Sequence, residues 1–370
     1  MRAIGIILAG GNSQRLKGLC KSRAIAAMPM AGAYRAIDFS LSNMSNSGIN
    51  KVAVITQYNS RSLHDHLSNA KWWDMDRKSG GLFIFTPFLS NENSFWFRGI
   101  ADSIYQNISF LKRSNEPYVV IASGDAVYKM DYTEVIKYHI EKGSDITVVC
   151  KDLAGTDKNI ADFGVLTLDH EDRMETFEEK PIEPKGTIAS LGIYVIQRSL
   201  LIKLLEAAIP NGQYDFVKDI ILRNKNELNI FGYKYEGYWS TLNSINAYMN
   251  TNMDFLKPEV QKMLTTAPYI ATKPQDEPPA KYNLNSDVKN ALVGIGSIIN
   301  GHIRESVLFK NVFLGEGSSV KNSIVMGSTY IGKNCVIENA ILDKEVVIAD
   351  GKQVIGEPGN PVVITKGTIV

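Results

Sequence analysis

The chain has 370 residues, of which 44% are hydrophobic, so it is long enough to form two domains with a core in each. Forty Lys and Arg residues oppose 39 Asp and Glu residues, and this balance excludes a basic field for nucleic acid or an anionic membrane surface. The three cysteines lie far apart, and no apolar run approaches the roughly 18 residues of a membrane span. We therefore expect a soluble, cytoplasmic protein with a local small-molecule site.

The first region, residues 1–257, alternates short apolar runs with helix-like segments. Apolar runs predict strands over 4–9, 51–56, 118–123 and 146–149, and the apolar spacing predicts helices over 102–113 and 132–142. This alternation indicates an α/β, Rossmann-like domain with a mostly parallel sheet. Its ligand site should lie at the carboxyl ends of the strands.

The stretch from Leu8 to Leu19 joins the first predicted strand to Gly10, Gly11, Arg15 and Lys17. Close glycines followed by cations are typical of a loop that binds phosphate through backbone N–H groups and positive charge. Arg15 and Lys17 could equally be solvated charges at the start of a helix.

Residues 258–287 hold five of the 13 prolines and little apolar periodicity, so we predict a linker. After it, residues 288–370 repeat: E-S-V-L at 305–308, N-S-I-V at 322–325 and N-A-I-L at 339–342. A period near 18 residues, built of three hexads, predicts a left-handed parallel β-helix, whose open end must be capped or paired in an oligomer. An antiparallel sandwich is the alternative.

Several motifs together resemble bacterial glucose-1-phosphate adenylyltransferase, also called ADP-glucose pyrophosphorylase, over nearly the whole chain. They are Y-R-A-I-D-F-S-L-S-N (34–43), N-S-G-I (46–49), T-Q-Y (56–58), G-I-A-D-S-I-Y-Q-N (99–107), S-G-D (123–125), Y-K-M-D-Y (128–132), D-F-G-V (162–165), F-E-E-K-P (177–181) and S-L-G-I-Y (190–194). The resemblance implies a nucleotidyltransferase domain followed by a β-helix. It also implies a reaction of ATP with glucose 1-phosphate, with Mg²⁺ held by two carboxylates, which supplies ADP-glucose for glycogen biosynthesis.

The nucleotide side departs from the family pattern in its first loop. Gly10, Gly11 and Arg15 match G-G-x-G-T-R-L, and Gln57 lies in the matching T-Q-Y, but Ser13 stands where a glycine is expected and Gln14 where a threonine is. A Cβ at Ser13 disfavours the backbone conformations that glycine reaches freely. In addition, Ile25 replaces the lysine of R-A-K-P-A-V-P, which removes a charge that would face phosphate.

The metal side departs as well. By resemblance Asp125 is the first metal carboxylate, but Ala126 replaces the histidine that follows it in the family. Thr241 replaces the second carboxylate of W-R-D-V-G-T, and a hydroxyl is a weaker Mg²⁺ ligand than a carboxylate. Magnesium binding is therefore possible but impaired. Asp125 could instead be a carboxylate that caps a loop.

The sugar-phosphate side is closer to the family pattern. Gly164, Glu179, Lys180 and Ser190 match positions that contact glucose 1-phosphate, whereas Phe97 replaces a tyrosine and so lacks its hydroxyl. We therefore expect a phosphorylated small-molecule ligand. Lys180 could alternatively be a surface lysine beside Glu179.

The substitutions at positions 13, 25, 126 and 241 all fall on the nucleotide and metal side of the site. This pattern is similar to that of a non-catalytic type of subunit in this protein family, which some bacteria have beside the catalytic subunit. The resemblance implies a regulatory partner that assembles with the catalytic subunit into a tetramer. The first alternative is an active adenylyltransferase with an altered ATP site. The second is a hexapeptide-repeat acyltransferase using His302.

Two further pairs are interpreted as structural. An i, i+2 pair such as His64 and His66 shares a face only in a strand, and no third histidine or cysteine lies nearby, so we do not expect a metal site there. Trp72 and Trp73 are expected to pack.

Overall fold

The computed structural model describes residues 2–11, 14–88, 95–156 and 158–370. Ser13, which stands in the first loop where the family pattern has a glycine, lies outside these residues. In the described part of the chain, none of the helices has the length and apolar character needed to cross a membrane.

The α/β domain is confirmed, and it contains thirteen strands among the described residues. They are β1 Ala3–Leu8, β2 Pro29–Met30, β3 Tyr34–Arg35, β4 Lys51–Ile55, β5 Gly81–Phe85, β6 Tyr118–Ser123, β7 Ala126–Tyr128, β8 Ile146–Asp152, β9 Gly164–Leu168, β10 Met174–Glu179, β11 Ile188–Gln197, β12 Ile230–Lys234 and β13 Trp239–Thr241. The four predicted strands correspond to β1, β4, β6 and β8.

The main sheet has the strand order β10-β9-β11-β6-β1-β4-β5, with β8 beside β11 and β12 beside β8. Strands β6, β1, β4 and β5 run parallel, so their carboxyl ends meet at one edge. Strand β11 is antiparallel to β6 and β8. The parallel strands therefore form one side of the sheet edge where a ligand is expected. The antiparallel strand β11 brings a different set of side chains to the other side of that edge.

Eight α-helices surround the strands in the described residues. They are α1 Ala36–Asn46, α2 Arg61–Leu67, α3 Ile100–Gln106, α4 Ile108–Lys112, α5 Tyr132–Glu141, α6 Arg198–Ala208, α7 Ile245–Asp254 and α8 Pro258–Thr265. The helix predicted over 102–113 is interrupted at Asn107, whose backbone leaves the helical region. The Asn107 side-chain amide donates to the Ser103 carbonyl at 2.9 Å, a local hydrogen bond of the kind that competes with regular helix.

The sheet is buried on both faces. Along β1, Ile4 and Ile6 join one apolar cluster, whereas Ala3 and Ile7 join the cluster on the opposite face. This division follows from the two-residue side-chain period of a strand, and it explains why the strand sequence is apolar throughout.

The segment expected to be a linker contains regular structure at both ends. Helix α8 begins at Pro258, which suits a first helical position, and it buries Val260 and Met263. Near the other end, β14 Lys281–Tyr282 pairs in parallel with β16 Ile298–Ile299, so the β-helix already begins inside this segment.

The C-terminal repeat folds as a parallel β-helix. Besides β14 and β16, its strands are β15 Asp287–Val293, β17 His302–Leu308, β18 Phe313–Leu314, β19 Ser319–Lys321, β20 Ile324–Val325, β21 Tyr330–Ile331, β22 Val336–Glu338, β23 Ala340–Leu342, β24 Val347–Ile348, β25 Gln353–Ile355 and β26 Val362–Ile364. All named strands in this domain pair in parallel, and consecutive coils stack into three faces. The antiparallel sandwich alternative was therefore wrong.

The predicted repeats stack in register. Leu308 pairs with Val325 and Val325 with Leu342, and all three belong to the apolar cluster inside the coils. At the corner before this face the repeat places Glu305, Asn322 and Asn339 at positive φ, between 41° and 48°. Asn tolerates this left-handed conformation better than most residues, which accounts for its recurrence in the motif.

The neighbouring residues of the same repeats, Val307, Ile324 and Ile341, are fully buried in a different cluster that is shared with the α/β domain. Each such side chain contributes roughly 1.5–3 kcal/mol when it is removed from water. This face of the β-helix therefore carries apolar side chains on its inner and its outer surface. The inner set fills the coils, and the outer set packs against the α/β domain.

A buried ion pair also joins the domains. The Arg23 guanidinium lies 2.6 Å from an Asp343 carboxylate oxygen, and the two side chains are 4% and 1% exposed. Arg23 follows the first loop and Asp343 follows β23, so the pair links the region of the predicted phosphate site to the β-helix.

Candidate nucleotide and sugar-phosphate site

A cleft of about 500 Å³ opens at the carboxyl ends of β1, β4 and β6, where the parallel sheet predicts a ligand. We call it the first cleft. Its lining is Leu8, Gly10, Gly11, Ile55, Gln57, Phe97, Gly99, Ile100, Ser103, Ser123, Asp125, Lys180, Gly192 and Tyr194. The structure thus brings together the predicted residues Gly10, Gly11, Gln57, Phe97, Asp125 and Lys180.

The glycines leave room beside the strand ends. A Cβ at Gly10 would lie 3.5 Å from Gln57 Cβ, which is an ordinary contact distance. A Cβ at Gly124 would lie 3.3 Å from Ala26 Cβ, which is tighter than most contacts of real Cβ atoms. The side chain of Gln57 is held in turn, because its Oε1 accepts from the Phe97 backbone N–H at 2.9 Å. Close backbone approach and a fixed amide are suitable for binding a base or a phosphate.

Asp125 follows β6 and lies in the floor of the first cleft. Burial raises the pKa of its carboxyl, while the hydrogen bond donated by the Ser123 hydroxyl and the charge of Lys180 lower the pKa. The Leu242 N–H donates to the Asp125 carbonyl at 3.1 Å, which ties this turn to the segment after β13. Asp125 is therefore a cleft carboxylate with one charged neighbour, and not a surface cap.

Thr241 ends β13, which pairs antiparallel with β7, and its partner across the ladder is Ala126. The two positions where the family would place a carboxylate and a histidine are thus side by side, and neither carries a charge. Thr241 does not line the first cleft. It lines a second cleft of about 550 Å³ between residues 158–163 and helix α7.

On the sugar-phosphate side, Lys180 is held at positive φ (47°) and its Nζ lies 3.8 Å from Glu179 Oε1. A Cβ at Gly164 would lie 2.5 Å from Phe177 Cζ and 3.0 Å from Glu179 Oε2, so this glycine leaves room first for the Phe177 ring and then for the carboxylate. Burial raises the pKa of Glu179, and the Lys180 charge lowers it.

Ser190 lies on β11 behind the cleft wall, where its Oγ accepts from the Gly192 N–H at 3.4 Å. Gly192 and Tyr194 do line the cleft. The sequence motif S-L-G-I-Y contains both residues. Only the structure, with a bulge in β11 and Gly192 at φ 68°, shows that they line the first cleft. Glu179 and Ser190 therefore contact the lining residues Lys180 and Gly192, and neither they nor Gly164 belong to the lining themselves.

Arg15 lies outside the first cleft. Its guanidinium is paired with Asp162 at 2.6 Å, and the Arg15 side chain is 65% exposed. Ile25 is buried in the apolar cluster shared with the β-helix, and its Cδ1 lies 3.9 Å from where a Cβ at Gly11 would be. In this structure the first loop therefore presents backbone, but no cation, to the cleft among its described residues.

Comparisons with known proteins agree with this geometry. The nucleotidyl transferase family matches residues 4–258, and the GlmU-like, C-terminal hexapeptide family matches residues 278–360. A glucose-1-phosphate adenylyltransferase of Bacillus cereus is 38% identical over 95% of this chain and 94% of its own length. One of Fervidobacterium nodosum is also 38% identical, over 94% of this chain and 84% of its own length. The chain belongs to the glucose-1-phosphate adenylyltransferase family.

The magnesium site implied by this family does not fit the residues present. Asp125 is the one carboxylate in the described lining of the first cleft, and Thr241 offers a neutral hydroxyl from the neighbouring cleft. Within the described ranges, no three acidic, histidine or cysteine side chains gather into a group that could hold a metal ion. A pair of carboxylates, the ligand set that the resemblance implies, is not formed.

The remaining candidate residues have structural roles or stand apart. His66 lies in helix α2, not in a strand, and its Nε2 is 2.6 Å from Asp38 Oδ1 inside the core. Trp73 is buried and Trp72 is partly buried against the same cluster, which confirms that both pack. His302 is exposed at the start of β17.

Proposed function

We propose that this chain is a regulatory subunit of glucose-1-phosphate adenylyltransferase, which assembles with a catalytic subunit in the cytoplasm, raises its activity and has little activity alone. The observation that carries this proposal is the pairing of Thr241 with Ala126 beside Asp125. It leaves one partly buried carboxylate where in-line transfer between two phosphorylated substrates requires strong neutralisation of charge. Mg²⁺ would be held weakly by Asp125 alone.

The first cleft supports a retained binding role. Lys180 supplies an ammonium at its edge, Gly10 and Gly11 present backbone, and Tyr194 and Phe97 give apolar walls. This set is suited to a phosphorylated sugar, whose phosphate can pair with Lys180 while its ring packs on the walls. We propose glucose 1-phosphate or a related sugar phosphate as the ligand, and a tetramer with contacts through the β-helix as the assembly.

An active enzyme with an altered ATP site is the second candidate, and the relatives named glucose-1-phosphate adenylyltransferase favour it. In that case Arg15 would have to leave Asp162 and turn towards the triphosphate. The two candidates predict different behaviour of the isolated chain.

The experiment has two arms. The purified chain is incubated with ATP, Mg²⁺ and glucose 1-phosphate, and ADP-glucose is measured; we expect almost none. The chain is then co-expressed with the catalytic subunit of the same organism, and we expect co-purification and a higher rate per catalytic subunit. Several turnovers per second by the chain alone, or failure to form the complex, would refute the proposal.

A further inference from the structure

The second cleft is a polar cavity that includes Thr241, but its other lining residues have no role in the proposed function. It lies between residues 158–163 and one side of helix α7, and its volume of about 550 Å³ falls within the range of ligand pockets. We propose that it binds a neutral saccharide. The proposal does not depend on the regulatory role, because it rests on Asn246, Asn250 and Phe163, which that role does not use.

The helix wall of the second cleft presents amide groups. Asn246 and Asn250 are exposed residues of α7 four positions apart, so they lie one above the other on the same side of the helix. Each primary amide offers both donors and an acceptor. A pair of them at this spacing can bind neighbouring hydroxyls of one sugar ring, since each hydroxyl also donates and accepts.

The opposite wall combines an aromatic ring with one cation. Phe163 lines the cleft and packs edge-on against Trp239, with ring centroids 5.2 Å apart. The Lys158 Nζ lies 4.8 Å from the centre of the Trp239 ring and donates to the Trp239 carbonyl. An aromatic ring beside polar groups is suited to a pyranose, because the C–H groups of the sugar can pack on the ring while its hydroxyls bond to the amides.

The charge of the second cleft is mostly compensated within the protein. Asp162 is paired with Arg15 at 2.6 Å, and Asp254 with Lys257 at 2.7 Å. Lys158 is then the remaining charged group of the described lining, and a single cation is a weak basis for holding a phosphate. The lining therefore favours a polyhydroxylated neutral ligand over an anionic one.

The test is calorimetric titration of the full chain with glucose, maltotriose, glucose 1-phosphate and inorganic phosphate. We expect saturable binding of at least one of the two neutral sugars. Replacing Asn246 and Asn250 together by Ala should weaken that binding about tenfold, because two hydrogen bonds are lost. The matched control is Asn226→Ala, at an exposed asparagine outside both clefts, which should leave the affinity unchanged.

A second variant tests the location by filling the space. Ala247 lies on the cleft side of α7, so Ala247→Phe should abolish binding of the neutral sugar and leave glucose 1-phosphate binding in the first cleft unaffected. Circular dichroism checks that each variant is folded. The proposal is overturned if neither sugar binds, if phosphate displaces the sugar from this cleft, or if the Ala247→Phe chain binds the sugar as well as the original.

Discussion

The buried ion pair between Arg23 and Asp343 gives the strongest prediction for the docking of the two domains. Asp343→Asn keeps the shape of the side chain but removes its charge, and it leaves the Arg23 guanidinium, 4% exposed, without a counter-ion. Breaking a buried pair in this way costs about 3–5 kcal/mol, because the remaining charge stays out of water. We expect a loss of this size in the free energy of unfolding.

The structure offers a matched control in the same domain. Arg304 and Asp287 also form an ion pair in the β-helix, but their side chains are 33% and 45% exposed. Asp287→Asn makes the same chemical change in water-accessible surroundings, where such pairs contribute only about 0–1 kcal/mol. The difference between the two variants isolates the effect of burial.

The assay is urea denaturation followed both by tryptophan fluorescence and by circular dichroism, with free energies compared only where the two transitions coincide. The double variant Arg23→Met with Asp343→Leu should recover most of the loss, because it removes both charges together. If Asp343→Asn destabilises the chain no more than Asp287→Asn does, the pair does not hold the domains together and the reasoning fails.

Two further predictions concern titration and metal binding. Burial, together with Arg35 and Arg23, lowers the pKa of Lys344 from 10.5 to about 8. Over this interval the unfolded chain keeps the lysine proton and the folded chain loses it, so the free energy of unfolding should rise with pH. Lys344→Met should remove this rise while Lys352→Met, at an exposed lysine of the β-helix, should keep it; an equal rise in both variants would contradict the assignment. Thr241→Asp should add a second carboxylate beside Asp125 and tighten Mg²⁺ binding by about tenfold or more in calorimetry. The control is Thr241→Asn, and equal affinities in the two variants would show that position 241 does not face the metal.

The β-helix could be predicted from the sequence because the spacing of its repeat corresponds directly to one coil of the fold. Each hexad needs one aliphatic side chain inside the coil, and the motif supplies Leu308, Val325 and Leu342. The positive φ of Asn322 and Asn339 at the corner is seen only in the structure. The docking face was not predicted. Val307, Ile324 and Ile341 look like ordinary strand residues until the other domain is seen to cover them.

Helix α8 was missed for a different reason. The prolines of the segment suggested a linker, but Pro258 occupies the first turn, where a missing N–H costs nothing. The apolar spacing of Val260 and Met263 was the available signal.

The parts of the site that follow a strand directly could be located from sequence. Gly10, Gly11, Gln57 and Asp125 each come within three residues of the end of a parallel strand, and they meet in the first cleft. The position of Arg15 could not be predicted, because its partner Asp162 is 147 residues away. An ion pair between residues far apart in sequence depends on how the loops fold. A sequence motif gives the residue type, but it does not give the direction in which that side chain points.

The packing of the first loop gives a physical reason for the presence of Ile25. Leu16, Leu19 and Ile25 are buried in the same apolar cluster as Val307 and Ile324 of the β-helix. A lysine at position 25 would have to keep its ammonium out of this cluster and in contact with a phosphate or water, since an unpaired buried charge is costly. An isoleucine contributes to domain docking instead. The segment for which the resemblance implies phosphate binding is thus held by the same apolar cluster that docks the β-helix. Under the proposed regulatory function, a change in the contacts of the β-helix would reach the first cleft through this segment.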